Sequence, residues 1–202
     1  MNLYKNDLPD GVIFKDSVAI DTETMGLQTK RDRLCLVQMC SKYGEVHMVQ
    51  IEKGQQDKAV NLKRLLTDPM VLKIFHFARF DIEILNYTFD IRVNNIYCTK
   101  IASKLVRTYS DKHGLKNIIK ELLGIDISKQ EQSSDWGREE LTPEQRNYAA
   151  GDVLYLHSLR EKLDYMLERE GRKDLAQRCF NSLQLISDLD LMGIVPEELF
   201  VH

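Results

Sequence analysis

Asp21 and Glu23 stand two residues apart in Val18-Ala-Ile-Asp-Thr-Glu23, a short run rich in β-branched and apolar residues. On a strand, alternate residues share a face, so both carboxylates project together. Two carboxylates side by side and short of water repel each other, which folding alone does not favour. A divalent cation neutralises both, and hard oxygen ligands suit Mg²⁺ or Mn²⁺. An Asp-x-Glu on its own arises often by chance, because two solvated acids can simply follow a strand end. The pair gains weight from two further segments. Phe75-His-Phe-Ala-Arg-Phe-Asp81 leaves a short apolar strand and enters a helix, which puts Asp81 in a first helical turn. The helix dipole alone would also favour an acid there. Asn147-Tyr-Ala-Ala-Gly-Asp152 places Tyr148 and Asp152 at i and i+4, on one helix face. Gly151 between them weakens the helix but lets backbone approach another element or a substrate closely.

These residues need elements to hold them. The first half of the chain reads as strands: Val18–Glu23, Leu34–Met39 and Glu45–Ile51, with a turn at Ser41-Lys-Tyr-Gly44. Short connections predict an antiparallel meander. A helix is predicted over about Lys58–Leu66, stopped by Asp68-Pro69, then a strand Val71–Phe75 and a helix Arg79–Tyr87. The second half reads as helical, over Thr99–Val106 and Gly114–Leu123. A long helix follows, with Thr142 as N-cap, Pro143 at its first position and Gln145 closing a capping box. It is expected to continue to about Glu170, where Gly171 breaks it, and a last helix spans Lys173–Leu191. The pattern implies an α/β fold with a central mixed five-stranded sheet containing the meander, flanked by helices, and an extra C-terminal helix.

The 202 residues carry 28 Lys+Arg against 31 Asp+Glu, a formal net charge of −3. Such a balance argues against a nucleic-acid partner, since such proteins usually show a basic surplus. The charges are not evenly spread, however. Between Thr99 and Lys120 lie Lys100, Lys104, Arg107, Lys112, Lys116 and Lys120 against the single acid Asp111. That segment reads either as a phosphate-binding rim or as an ordinary solvated face. No apolar run is long enough for a membrane helix, and the first fifteen residues hold Asp7 and Asp10 without an apolar signal core; a cytoplasmic protein with no membrane partner is expected. Cys35 and Cys40 fall on opposite faces of one strand and cannot share a metal, so the four cysteines are expected to be small buried hydrophobes.

Taken in order, Asp21-Thr-Glu23, His76 to Asp81 and Tyr148-x-x-x-Asp152 resemble the DEDD superfamily of 3′–5′ exonucleases, in the subclass with tyrosine in its third motif. His113-Gly-Leu-Lys-Asn, Ser134-Asp-Trp-Gly and Leu141-Thr-Pro-Glu-Gln extend the likeness to ribonuclease D. Arg31-Asp-Arg-Leu-Cys, Thr99-Lys-Ile-Ala-Ser-Lys-Leu and Ser128-Lys-Gln-Glu-Gln-Ser-Ser-Asp-Trp are similar to the nanoRNase C family of short bacterial relatives. About fifty residues follow Asp152, which leaves no room for the helical RNA-binding domains of ribonuclease D. One exonuclease domain over residues 1–202 is therefore expected.

The resemblance implies a ribonuclease-H-like fold and hydrolysis of short RNA or DNA oligonucleotides, dinucleotides included, to 5′-mononucleotides. It implies two divalent metal ions (Mg²⁺ or Mn²⁺) on Asp21, Glu23, Asp81 and Asp152. Asp21 would bridge them, Asp81 would support the second ion, and Tyr148 would orient the attacking water. Substrate contacts are expected from Thr22, Thr24 and Gly26, from Leu27 as a wedge between bases, and from His76 and Phe80. His113, Lys116, Lys129 and Gln130 are expected on phosphate. Leu27 and Phe80 could equally be core residues, and Trp136 is expected to be a packing anchor. The apolar tail from residue 172 onward is expected either to dock on its own domain or to contact another subunit. By the resemblance it is expected to build a homo-oligomer, with an octamer as one such assembly. Competing expectations are ribonuclease-D-like trimming of tRNA or other structured RNA, and an inactive nucleic-acid-binding module.

Overall fold

The computed structural model describes residues 1–127, 134–199 and 201. Six strands form one mixed sheet: β1 (Asn2–Lys5), β2 (Ser17–Thr24), β3 (Leu34–Ser41), β4 (Val46–Gln50), β5 (Leu72–Phe75) and β6 (Ile96–Cys98). Their order is β1-β4-β3-β2-β5-β6. The expected meander is present as β2, β3 and β4 in antiparallel pairs. β5 joins β2 in parallel, β6 joins β5 in parallel, and β1 lies parallel on β4. The sheet thus has six strands where five were expected. β1 and β6 are edge strands of four and three residues, too short to show a period-two pattern.

Every residue of β4, and all of β3 except its last, is buried. Both faces of the sheet centre are therefore covered, as their near-continuous apolar sequence requires. The helices are α1 (Val60–Thr67), α2 (Ala78–Phe89), α3 (Thr99–Val106), α4 (Leu115–Leu123), α5 (Pro143–Leu154), α6 (Leu156–Arg169), α7 (Lys173–Met192) and α8 (Pro196–Leu199), of which α2, α5, α6 and α7 make the main contacts with the sheet. The capping box at Thr142 is formed: Thr142 Oγ1 accepts from the Gln145 amide at 3.1 Å, and Gln145 Oε1 accepts from the Thr142 amide at 2.9 Å.

The single long helix expected after Pro143 is two helices. Tyr155, at φ −103 and ψ −2, ends α5 and turns the chain into α6. α5 packs on β2 and β3, whereas α6 packs mainly on α3 and α4, and one straight helix cannot reach both. Tertiary packing sets this break; no proline or turn residue marks it at Tyr155.

α7 docks on α2, α3 and β6 through Ala176, Phe180, Leu183, Ser187 and Leu189. At the far end of α7, Arg79 makes a bidentate pair with Asp190 (2.7 and 2.8 Å) and reaches Glu197 of α8 at 3.0 Å. Among the described residues, no helix is long and apolar enough to cross a membrane. All four cysteines are free, and Cys35, Cys40 and Cys98 are buried.

Candidate active site

β2 and β5 run parallel, and β2 continues from Ile20 to Thr24 past the point where β5 ends, at the carboxyl side of the sheet where α/β proteins build sites. Asp21 and Glu23 sit at the end of β2, on one face of the pleat. α5, packed on β2 and β3, brings Asp152 to them. Carboxylate oxygens of Asp21, Glu23 and Asp152 all lie within 4.8 Å of one another. Asp81 stands slightly apart, buried, with its Oδ1 accepting the Thr22 hydroxyl at 2.7 Å.

The electrostatics follow from this crowding. Burial, with Asp81, Asp152 and Glu23 nearby, pushes Asp21 well above the usual carboxylate range. Burial and the same acidic neighbours push Glu23 up to about 9. Burial raises Asp81 to about 7 even though the Thr22 hydrogen bond opposes the shift. Among the described residues, no basic side chain is one of the groups acting on Asp21 or Glu23. A buried acidic cluster without a counter-cation is costly, and hard oxygen donors gathered this closely fit one or more divalent cations. The donor set therefore suits the metal that the sequence implies.

Gln38 was not apparent from the sequence motifs. It faces Asp21 across the β2–β3 register, and its Nε2 donates to Asp21 Oδ2 at 2.6 Å. Its Oε1 is buried with no partner. The signal was available in principle: Gln38 is the one strongly polar side chain inside Leu34-Cys-Leu-Val-Gln-Met-Cys40.

Tyr148 hydrogen-bonds the Asp152 carboxylate, and burial beside three acids raises its phenol far above the ordinary value. Its ring lies 6.0 Å from that of Trp136, which is buried as expected of an anchor. Gln145 ties this part of the chain to α5, donating to Ser134 Oγ and the Asp135 carbonyl.

A cavity of about 680 Å³ opens over the carboxylates. Of the expected substrate contacts, Thr22, Thr24, Gly26, Leu27, His76, Phe80 and Lys116 line it. Leu27 is 84% exposed, which excludes a core role. Phe80 is half-buried and serves both core and cavity. His76 donates from Nδ1 to Thr99 Oγ1 (2.9 Å), because the Thr99 hydroxyl already donates to the Phe75 carbonyl (3.1 Å). Burial, reinforced by Lys100, holds the imidazole down at about 3, so it is neutral with Nε2 as acceptor.

His113 is not among the lining residues. Its Nδ1 pairs with Ser103 Oγ at 2.9 Å, in a network that includes Arg107. The basic segment is likewise divided: Arg107 is fully buried on Glu121, and of its cations only Lys100 and Lys116 line the cavity. The expectations for Lys129 and Gln130 fall outside the described residues. Phe77 and Lys100 line the cavity and were not singled out from the sequence as substrate contacts.

Gly26 has a second reason to be glycine. A Cβ there would meet Asp32 Oδ2 at 2.2 Å and Cγ at 2.7 Å. Asp32 cannot swing away freely, because it accepts from the Gln28 amide and from Arg31. Gly26→Ala is expected to cost about 1–3 kcal/mol of stability by overpacking and to raise KM by displacing Leu27. A melting curve and a substrate titration matching wild type would show the contact to be tolerant.

A model of the 3′–5′ exonuclease family matches residues 7–168. The chain belongs to this family. The exonuclease is 37% identical over 183 residues to ribonuclease D of Gluconacetobacter diazotrophicus, an alignment covering 91% of this chain and 45% of that protein. It therefore spans less than half the length of that curated relative. It is similar throughout to Brucella melitensis NrnC, solved bound to pGG. The identity is 51% and the TM-score 0.94, covering 100% of this chain and 98% of that one. NrnC has also been solved with bound Mg²⁺, at 50% identity and a TM-score of 0.93 over the same shares. The chain is thus of ribonuclease D type, with a ribonuclease-H-like fold.

Proposed function

We propose that this chain acts as one exonuclease unit that hydrolyses very short oligonucleotides, dinucleotides included, from the 3′ end and releases 5′-mononucleotides. The observation that carries the reading is the convergence of Asp21, Glu23 and Asp152 in a cavity of about 680 Å³. That size lies within the roughly 300–1,000 Å³ that encloses a small ligand, and suits a few nucleotides better than a polymer track. Likeness over nearly its whole length to NrnC, solved with pGG, supports the same substrate class.

In this reading Asp21, Glu23 and Asp152 would hold one divalent ion, and Asp21 with Asp81 would hold a second. When bound, they lower the pKa of the attacking water and stabilise charge on the leaving 3′-oxygen. The chain's own groups do the rest. Gln38 fixes the Asp21 carboxylate, and Thr22 fixes that of Asp81. Tyr148 stays protonated and orients the water by hydrogen bonding; it is too weak an acid to serve as a free base. Leu27 separates the terminal bases, and Lys116 meets phosphate. Tyr148→Phe is expected to lower kcat by about 10- to 100-fold with a smaller change in KM. An unchanged kcat removes the role.

The test is a time course of products from end-labelled RNA and DNA, from dinucleotides to long oligomers, with Mg²⁺, Mn²⁺ or EDTA. Preferential turnover of dinucleotides supports the proposal. Indifference to length, or preference for a hairpin with a 3′ tail, favours trimming of structured RNA.

We also propose that the reaction is cytoplasmic and that the chain assembles with copies of itself through the α7–α8 corner. Leu185, Met192, Ile194, Val195 and Leu199 are all left exposed there, with Met192 at 72%. Light scattering that finds only monomer at micromolar protein overturns the assembly.

A further inference from the structure

Phe77 sits between β5 and α2 with a left-handed backbone, φ 68 and ψ 44. That conformation suits glycine or asparagine, and a bulky aromatic side chain is strained in it. Strain is usually offset by burial, but Phe77 is 48% exposed. Its backbone role, a carbonyl accepting from the Phe80 amide at 3.2 Å, needs no aromatic side chain. The ring instead lines the same cavity as Leu27 and the carboxylates. Lys100, which also lines the cavity, holds its ammonium 3.8 Å from the ring centroid. An aromatic surface beside a cation matches a nucleotide, which offers a flat base and a phosphate together.

Resting on the substrate reading above, we propose that Phe77 is a specificity-determining residue whose ring packs on one base of the substrate, with Lys100 beside it to meet phosphate. The left-handed turn is what delivers the ring to the cavity. A helical or extended residue at this position would aim it elsewhere. The aromatic is kept for contact with substrate, at a cost to the fold.

The test uses Phe77→Asn and Phe77→Gly, both at ease in this backbone, with Phe77→Tyr as the conservative variant. Melting of each is followed in EDTA. Hydrolysis is followed on a dinucleotide and on two analogues, each lacking one of its bases. Asn and Gly are expected to melt no lower than wild type and to raise KM about 10-fold or more, with kcat changed less. Tyr should keep wild-type KM. The penalty should shrink towards nothing on the one analogue that lacks the base Phe77 packs on.

Equal penalties on all three substrates overturn the proposal, as does a lower melting temperature in the Asn and Gly variants. So does a loss of assembly size without any dependence on the bases. Wild-type failure to cleave dinucleotides would count against the substrate reading alone. The same comparison is then run on longer oligomers whose terminal units lack a base, with the same outcomes deciding it.

Discussion

Asp21→Asn is expected to abolish hydrolysis while leaving the metal-free protein at least as stable as wild type. Asp21 is the most crowded of the acids, pushed up by burial and by three neighbouring carboxylates. Loss of a ligand to a catalytic ion forfeits several kcal/mol of charge stabilisation in the transition state. About 4 kcal/mol corresponds to a rate some thousand-fold lower. The fold has no such need of the charge. Asn has the same shape, keeps an oxygen to accept from Gln38 Nε2, and removes the repulsion with Glu23, Asp81 and Asp152. Ordinary destabilised variants lose activity and stability together; this one should separate them. Wild-type turnover by purified Asp21→Asn protein would sink the metal assignment. A large drop in its metal-free melting temperature would show that Asp21 serves the fold.

Metal and pH should act on stability through the same cluster. Free Asp and Glu titrate near 3.9 and 4.3. In the folded protein Asp81 is raised to about 7 and Glu23 to about 9. Between pH 4 and pH 9 the folded state therefore holds protons that the unfolded chain has released, and stability from these groups falls as pH rises. It is fully present below pH 4 and lost once pH passes the folded values. His47, His76, His113 and His157 have lowered pKa values through burial, and they oppose the trend only as pH falls through the ordinary histidine range. The carboxylate contribution is isolated by comparison with Glu23→Gln, whose melting temperature in EDTA should decline less between pH 7 and 9. On the proposed reading Mg²⁺ would bind the folded, deprotonated cluster, so the rise in melting temperature it causes should grow with pH. A melting temperature indifferent to Mg²⁺ at pH 8.5 would contradict this reading.

The features legible in the sequence were those with a local cause. Asp21 and Glu23 alternate on one strand, Tyr148 and Asp152 are one helical turn apart, and the Thr142–Gln145 capping box is written within four residues. The meander showed through its short turns. What escaped reading depends on residues distant in the chain. β1 is a strand because Leu3 finds Met48, and nothing in Asn-Leu-Tyr-Lys announces that pairing. The break at Tyr155 reflects packing of α5 and α6 on different neighbours. The pairing of His113 Nδ1 with Ser103 Oγ joins α3 to the loop before α4 and carries no sequence signal. The packed face of α7, with Ala176 and Phe180 buried, is set by Tyr97, whose ring lies 4.7 Å from that of Phe180. Phe77 is the extreme case: the left-handed position carries none of the residues that normally reveal one.

The Arg79 clamp has a consequence for how such a chain can change over generations. Arg79 is two residues before Asp81, and its bidentate partner Asp190 lies 111 residues away on α7. The side chain of Asp190 is only 14% exposed, so losing Arg79 would leave a largely buried charge without its counterpart. Neither residue is free to drift alone. Lineages that alter one are expected to carry a matching change at the other, and the turn that presents Asp81 thereby inherits a constraint from the opposite end of the sequence.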